Sequence, residues 1–252
     1  MELPAPFTWQ GEHVGIELPG GRALFTTRRG GHSGGPYAQL NLGKGTDDDP
    51  ATVERNYEAV AAAVGVPRRA LARGYQVHGT TVVRVCAPPA PAAERVESDG
   101  QATALRDVVP LVLTADCLPV ALISADAVAM VHAGWRGLAD GVLEEGVAAV
   151  RELCCASHDH APIAAAIGPG AGGCCYQVGD EVRAAFAGHE AAFGADGLID
   201  LKAIVRAKLR AAGVHEVHDV GLCTICSDPA LFFSHRRDRG LTGRQAGLAW
   251  RS

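Results

Sequence analysis

Apolar and polar positions along this chain follow two periods, one of strands buried on both faces and one of amphipathic helices. Short runs rich in Val, Leu and Ile gather between Val108 and Met130, where VVPLVLTA, VALISA and DAVAMVHAG read as three strands. Asp116 and Asp126 interrupt this stretch and Pro110 and Pro119 break it, so it predicts sheet and not a membrane span. Helical spacing follows at once: GWRGLADGVLEEGVAAVREL places Leu138, Val142, Ala149 and Leu153 on one face, with acidic residues between them. An earlier helix starts at Asp49-Pro50, with Asp as cap and Pro in the first turn. Val53, Tyr57, Val60, Ala61 and Val64 form its apolar face, and Gly65 and Pro67 stop it.

The same reading predicts strands near Ala23–Phe25, Thr81–Val85, Ile163–Ile167 and Val217–Leu222, with helices over Val178–Ala187 and Leu198–Ala212. Hairpin-like strands mixed with strand–helix units imply an α/β or α+β sandwich of mixed sheet flanked by helices, not a regularly alternating parallel fold. No internal repeat appears, and the Pro/Ala stretch from Ala87 to Ala93 reads as a surface loop too short to separate domains. Residues 1–252 are therefore read as one domain. Gly30, Gly31, Gly34 and Gly35 surround His32 and Ser33 and predict a turn placed to line a site.

Composition narrows the function classes. A 48% hydrophobic and 20% charged chain is not disordered, and a net charge of −5 lacks the basic surplus that holds nucleic acid or anionic lipid. The first residues, MELPAPFTWQGEHVG, have neither the basic nor the apolar region of a secretory signal, which predicts a cytoplasmic location. Cysteines in such a chain read as reduced thiols or metal ligands. Cys154-Cys155 reads as helix packing. Cys223-Thr-Ile-Cys226 has a spacing that suits zinc or redox chemistry, yet no second CxxC or Cys/His pair at finger spacing accompanies it, so it reads as structural or incidental.

Cys117 and His132 fall at strand ends, where side chains converge in sheet-based enzymes, and a hairpin between them would bring them together. His78, in YQVHGT, is a candidate third partner. Two imidazoles and a thiolate suit Zn²⁺ or Cu²⁺ and leave a position open for water or substrate. The positions 78, 117 and 132 do not form a local metal motif, however. They also read as a packed cysteine with two surface histidines, or as a Cys117 nucleophile with His132 as base and Asp116 orienting it. Arg28, Arg136, Arg236, Arg237 and Arg244 lie beside glycine-rich or turn-like segments, either as solvated charge or as guanidinium groups able to grip an anion. Neither GxxxxGK[ST] nor GxGxxG occurs.

The segments TTRRGGHSGGPYAQLNLG, QVHG, TADCLP, HAGWRG, IGPGAGGCCYQVGDEV and FFSHRRDRGLTGRQAGLAW together, from about residue 22 to 250, resemble the YfiH/laccase-domain family in order and spacing. The resemblance implies a single domain of mixed β-sheets flanked by helices, related to the deamidase domain of cytotoxic necrotizing factor toxins. It also implies one metal ion per chain, Zn²⁺ or Cu²⁺, on His78, Cys117 and His132. Members of the family have been described as copper-dependent polyphenol oxidases and as purine nucleoside phosphorylases that cleave adenosine, inosine and methylthioadenosine and deaminate adenosine. Some are linked to peptidoglycan editing. A multicopper oxidase needs many more histidines than this motif supplies, which favours the phosphorylase. On that reading the partners are a purine nucleoside and phosphate, with no nucleic acid or membrane, and the chain is a monomer or weak homodimer. Arg28 and Arg136 would hold phosphate, Asn41 would bind base or ribose, and Cys117, His132 and Arg28 would be catalytic. The sequence departs from the family's usual pattern at Cys226, at Cys174-Cys175 and at His235.

Overall fold

The computed structural model describes residues 2–89, 96–154 and 161–252. The chain opens with strands β1 (Thr8–Gln10), β2 (His13–Leu18) and β3 (Gly21–Phe25), then helix α1 (Pro50–Ala63). Strands β4 (Leu71–Ala72), β5 (Val82–Arg84), β6 (Gly100–Thr103), β7 (Val109–Thr114), β8 (Leu118–Ile123) and β9 (Val128–Ala133) follow. Helices α2 (Trp135–Asp140) and α3 (Val142–Leu153) lead to β10 (Ala164–Ile167), α4 (Asp180–Ala185), α5 (Leu201–Ala211), β11 (Glu216–Asp219) and β12 (Gln245–Arg251).

The strands form two six-stranded mixed sheets, ordered β1-β2-β3-β12-β7-β4 and β11-β10-β8-β9-β6-β5. Most neighbours are antiparallel, and the parallel pairs β4–β7, β5–β6 and β10–β11 lie at the edges. Side-chain alternation explains why the central strands are apolar on both faces. In β8, Ala121 and Ile123 meet β9 Met130 and β3 Phe25 between the sheets. Val120 and Leu122 instead face a cluster built with α3 and α5, including Val147, Ile204 and Leu209. The opposite sheet turns Leu24, Leu111 and Leu248 outward onto α1, where Val53, Tyr57 and Val60 are buried. The layers therefore run α1, sheet, sheet, then α3 with α5, as the mixed α/β sandwich reading expects.

Local chemistry accounts for the helix ends. Asp49 caps α1 by accepting from the Thr52 amide at 2.9 Å, with Pro50 in the first turn, as its sequence predicts. The segment read as one helix over 134–153 is two helices, because Gly141 adopts φ +105 and ends α2 before α3 begins. The helix read over 178–187 is shorter, covering only α4. Strand β3 covers the one read near 23–25, whereas β1, β2, β4, β6 and β12 carry no strong period and escape the sequence reading. Cys154 packs in the helix-side core with its sulfur 3.0 Å from Ser124 Oγ, while Cys155 and most of the Pro/Ala stretch lie outside the described residues. Among the described residues no helix is long and apolar enough to cross a membrane.

Candidate metal centre

Strand register builds the centre. The β8–β9 hairpin pairs Pro119 with His132 and Leu118 with Ala133, so Cys117, one residue before β8, falls beside Gly134 and diagonal to His132. On the other side of β9, Gly100 pairs with Val131, which sets Asp99 against His132. Asp99 Oδ1 lies 2.7 Å from His132 Nδ1. The same carboxylate accepts the backbone amides of Val77, His78 and Gly79 at 3.0, 3.0 and 2.8 Å, and so suspends the QVHG loop over the strand ends. One buried aspartate thus positions two of the three candidate ligands.

The ligand atoms of His78, Cys117 and His132 all lie within 4.8 Å of one another, with His78 Nε2 3.8 Å from Cys117 Sγ. Tetrahedral zinc bound at usual N and S distances separates its ligands by about 3.6 Å, so this set fits one ion after small adjustments. Asp99 on Nδ1 leaves His132 Nε2 for the ion, the carboxylate–histidine arrangement common behind metal ligands. Gly134 keeps the space open: a Cβ there would stand 2.7 Å from His78 Cδ2 and 3.3 Å from Cys117 Sγ.

Electrostatics supports anionic sulfur. Burial pushes the Cys117 thiol up, but the charge and hydrogen bond of His132, with His78, outweigh it and bring the pKa down to about 6. Burial likewise lowers His132, and the Cys117 thiolate with Asp99 overrides it, raising the imidazole to about 9. For Asp99, burial raises the pKa, while the bond and charge of His132 and the Gly79 and Val77 amides bring it below the usual carboxylate range.

The three residues open into a cavity of about 690 Å³, within the range of small-molecule sites. Its border carries Lys44, Arg73, Arg136, Arg236 and Arg244 together with the aromatics Tyr75, Trp135 and Tyr176. Arg136 lies over the Trp135 ring at 4.3 Å and Arg236 over Tyr176 at 5.2 Å. His235 also borders the cavity.

Four sequence expectations change here. Arg28 does not border this cavity: its Nε donates to Ala38 O and its Nη1 to Pro229 O, and its guanidinium packs 4.4 Å over Phe233. Asn41 is fully buried; its amide nitrogen donates to Thr46 and Asp48, and its oxygen accepts from the Gly43 and Arg244 amides. That uses the whole amide, so Asn41 shapes the cavity wall and has no donor left for a base. Asp116 does not orient His132, because its oxygens accept from Thr224 Oγ1 and the Arg236 amide, both at 2.7 Å. The glycine-rich turn around His32 also lies away from this cavity, held by Asn56 of α1 through the His32 amide and Ser33 Oγ. Asp99, which carries most of the positioning, was missed. A single acid before a glycine has no periodic or motif signal, and only register reveals its partner.

Fold and centre together define a mixed α/β protein with a histidine–cysteine candidate metal site lining a cationic cavity. The chain belongs to the family described as multi-copper polyphenol oxidoreductase laccase, whose model matches residues 22–252. It is 43% identical over 252 residues to a Xylella fastidiosa protein named purine nucleoside phosphorylase, covering 92% of this chain and 93% of the relative. Among solved structures, a Neisseria meningitidis protein of family DUF152 matches with TM-score 0.84 and 36% identity over 96% of this chain and all of that one. The Bacillus licheniformis protein YfiH matches with TM-score 0.84 and 28% identity, covering 98% and 99% of the two chains. The motif resemblance to YfiH proteins therefore holds across the fold.

Proposed function

We propose that this chain is a metal-dependent purine nucleoside phosphorylase, with one Zn²⁺ or Cu²⁺ held by His78, Cys117 and His132. The observation that carries the reading is the convergence of those three donors at a cavity lined by cations and aromatic rings. Relatives named purine nucleoside phosphorylase at about 40% identity support it. A bound ion supplies Lewis acidity at an open coordination position. The chain's own residues do the rest. Asp99 fixes the ring and tautomer of His132, and Cys117 is held as thiolate by the flanking imidazoles. Tyr176 and Trp135 offer faces for a purine, and Arg244, with Arg236 and Arg136, takes the phosphate role in place of Arg28, which does not line the cavity. Arg244 suits it because burial has already removed much of its hydration, as its lowered pKa reflects.

The substrates on this reading are adenosine, inosine and methylthioadenosine, with adenosine deamination as a second activity of the same centre. The test is release of free base by protein of known metal content, with and without phosphate. Phosphate-dependent release that collapses in His78→Ala, Cys117→Ala and His132→Ala supports phosphorolysis. Turnover that persists in all three variants, or oxidation of phenols in place of base release, rejects it.

A further inference from the structure

Behind the cavity wall, a second group of donors has come together from two segments that look unrelated in sequence. Cys174 and Cys175 follow the loop after β10, and Cys223 and Cys226 follow β11. The parallel β10–β11 pairing brings these loops side by side, continued by the bridge between Gly170 and Cys223. The four sulfurs all lie within 4.8 Å of one another. Cys174 Sγ is 3.6 Å from Cys175 Sγ and 3.3 Å from Cys226 Sγ, and Cys175 Sγ is 3.4 Å from Cys223 Sγ.

We propose that Cys174, Cys175, Cys223 and Cys226 form a closed tetrathiolate site for one Zn²⁺, separate from the His78–Cys117–His132 centre. Zinc–sulfur bonds of usual length in a tetrahedron put sulfurs about 3.8 Å apart, close to the spacings here and far from the ~2 Å of a disulfide. A cluster of several irons would hold its thiolates further apart, so the space suits a single ion. The backbone is arranged for thiolate as well. The Gly172 amide donates to Cys223 Sγ at 3.2 Å. Gly172 keeps the approach uncrowded, since a Cβ there would stand 3.1 Å from Cys174 Sγ and 3.2 Å from Cys223 Cβ.

Four protein ligands leave no open position, which makes the site structural. It would join the loop that carries the cavity-lining Tyr176 to the loop that holds Asp116. Tyr176 follows Cys175 directly, and Thr224, inside the CxxC turn, holds Asp116 beside Cys117. The ion would fix that pair of loops relative to each other, a task the unbound thiols perform only weakly.

Metal content and cobalt spectra separate the two sites. Wild-type protein purified with zinc under reducing conditions is expected to hold about two ions per chain, and the double variant His78→Ala/His132→Ala about one. That remaining ion, replaced by Co²⁺, should show the intense visible bands of tetrahedral cobalt bound to sulfur. Cys174→Ser/Cys226→Ser should lose the same ion and melt at lower temperature. A folded histidine double variant that binds no zinc overturns the proposal, even if the cysteine variant fails to fold. So does isolation of the four cysteines as two disulfides from protein prepared without oxidant.

Discussion

Asp99 shows how much one buried carboxylate can organise. It is fully buried, yet its oxygens meet one imidazole and three backbone amides, so its charge is spread over specific partners. Asp99→Asn keeps the shape but replaces an anionic acceptor, and is expected to weaken zinc binding at the histidine–cysteine centre by roughly 10- to 100-fold in competition titrations. Unchanged affinity would remove Asp99 from the positioning role. Proton release tests the charges of the pair it serves. At neutral pH Cys117, near 6, is already thiolate, whereas His132, near 9, is protonated and must lose its proton to bind metal. Zinc affinity should therefore climb about tenfold per pH unit between about 6 and 9 and flatten above, with about one proton released at pH 7. Calorimetry in buffers of different ionisation enthalpy reads that proton directly, and zero release would contradict the assigned charges.

Among the elements, helix α2 is short but consequential, because it presents Trp135 and Arg136 to the cavity and must stop sharply for α3 to lie on the sheet. Gly141 makes the stop at φ +105, a conformation that an L side chain adopts only with strain. Gly141→Ala is expected to cost roughly 1–2 kcal/mol in urea denaturation, with little effect on zinc binding by the folded protein. A loss below a few tenths of a kcal/mol would mean the helix break is not held at this residue. The helix period was plain in the sequence here, but the glycine that divides it sits in register with the apolar face and does not interrupt that period. Helix α1 was more legible, since its cap, its proline and its stop are all local.

At the scale of the molecule, two sheets close over an interior made by Phe25, Ile123, Met130 and Val112, while outer layers of helices cover the other faces. Phe25 is 1% exposed and packs where Gly168, at the end of β10, leaves room for its ring. Phe25→Ala should lower stability by about 3–5 kcal/mol while metal content per folded molecule stays the same. A variant that keeps its stability would place the sandwich interior elsewhere. Periodicity and the Asp49 cap are enough to read the central strands, the start of α1 and the mixed α/β class, and the motif resemblance singles out His78, Cys117 and His132 as candidate ligands. These signals are local: periodicity, caps and short motifs depend on neighbours within a few residues. It takes the fold to show that Asp99 and not Asp116 supports His132, that Arg28 and Asn41 are engaged within the scaffold, and that four cysteines from two loops meet. Those outcomes depend on strand order and register, which join residues far apart in the chain and leave no periodic trace along it.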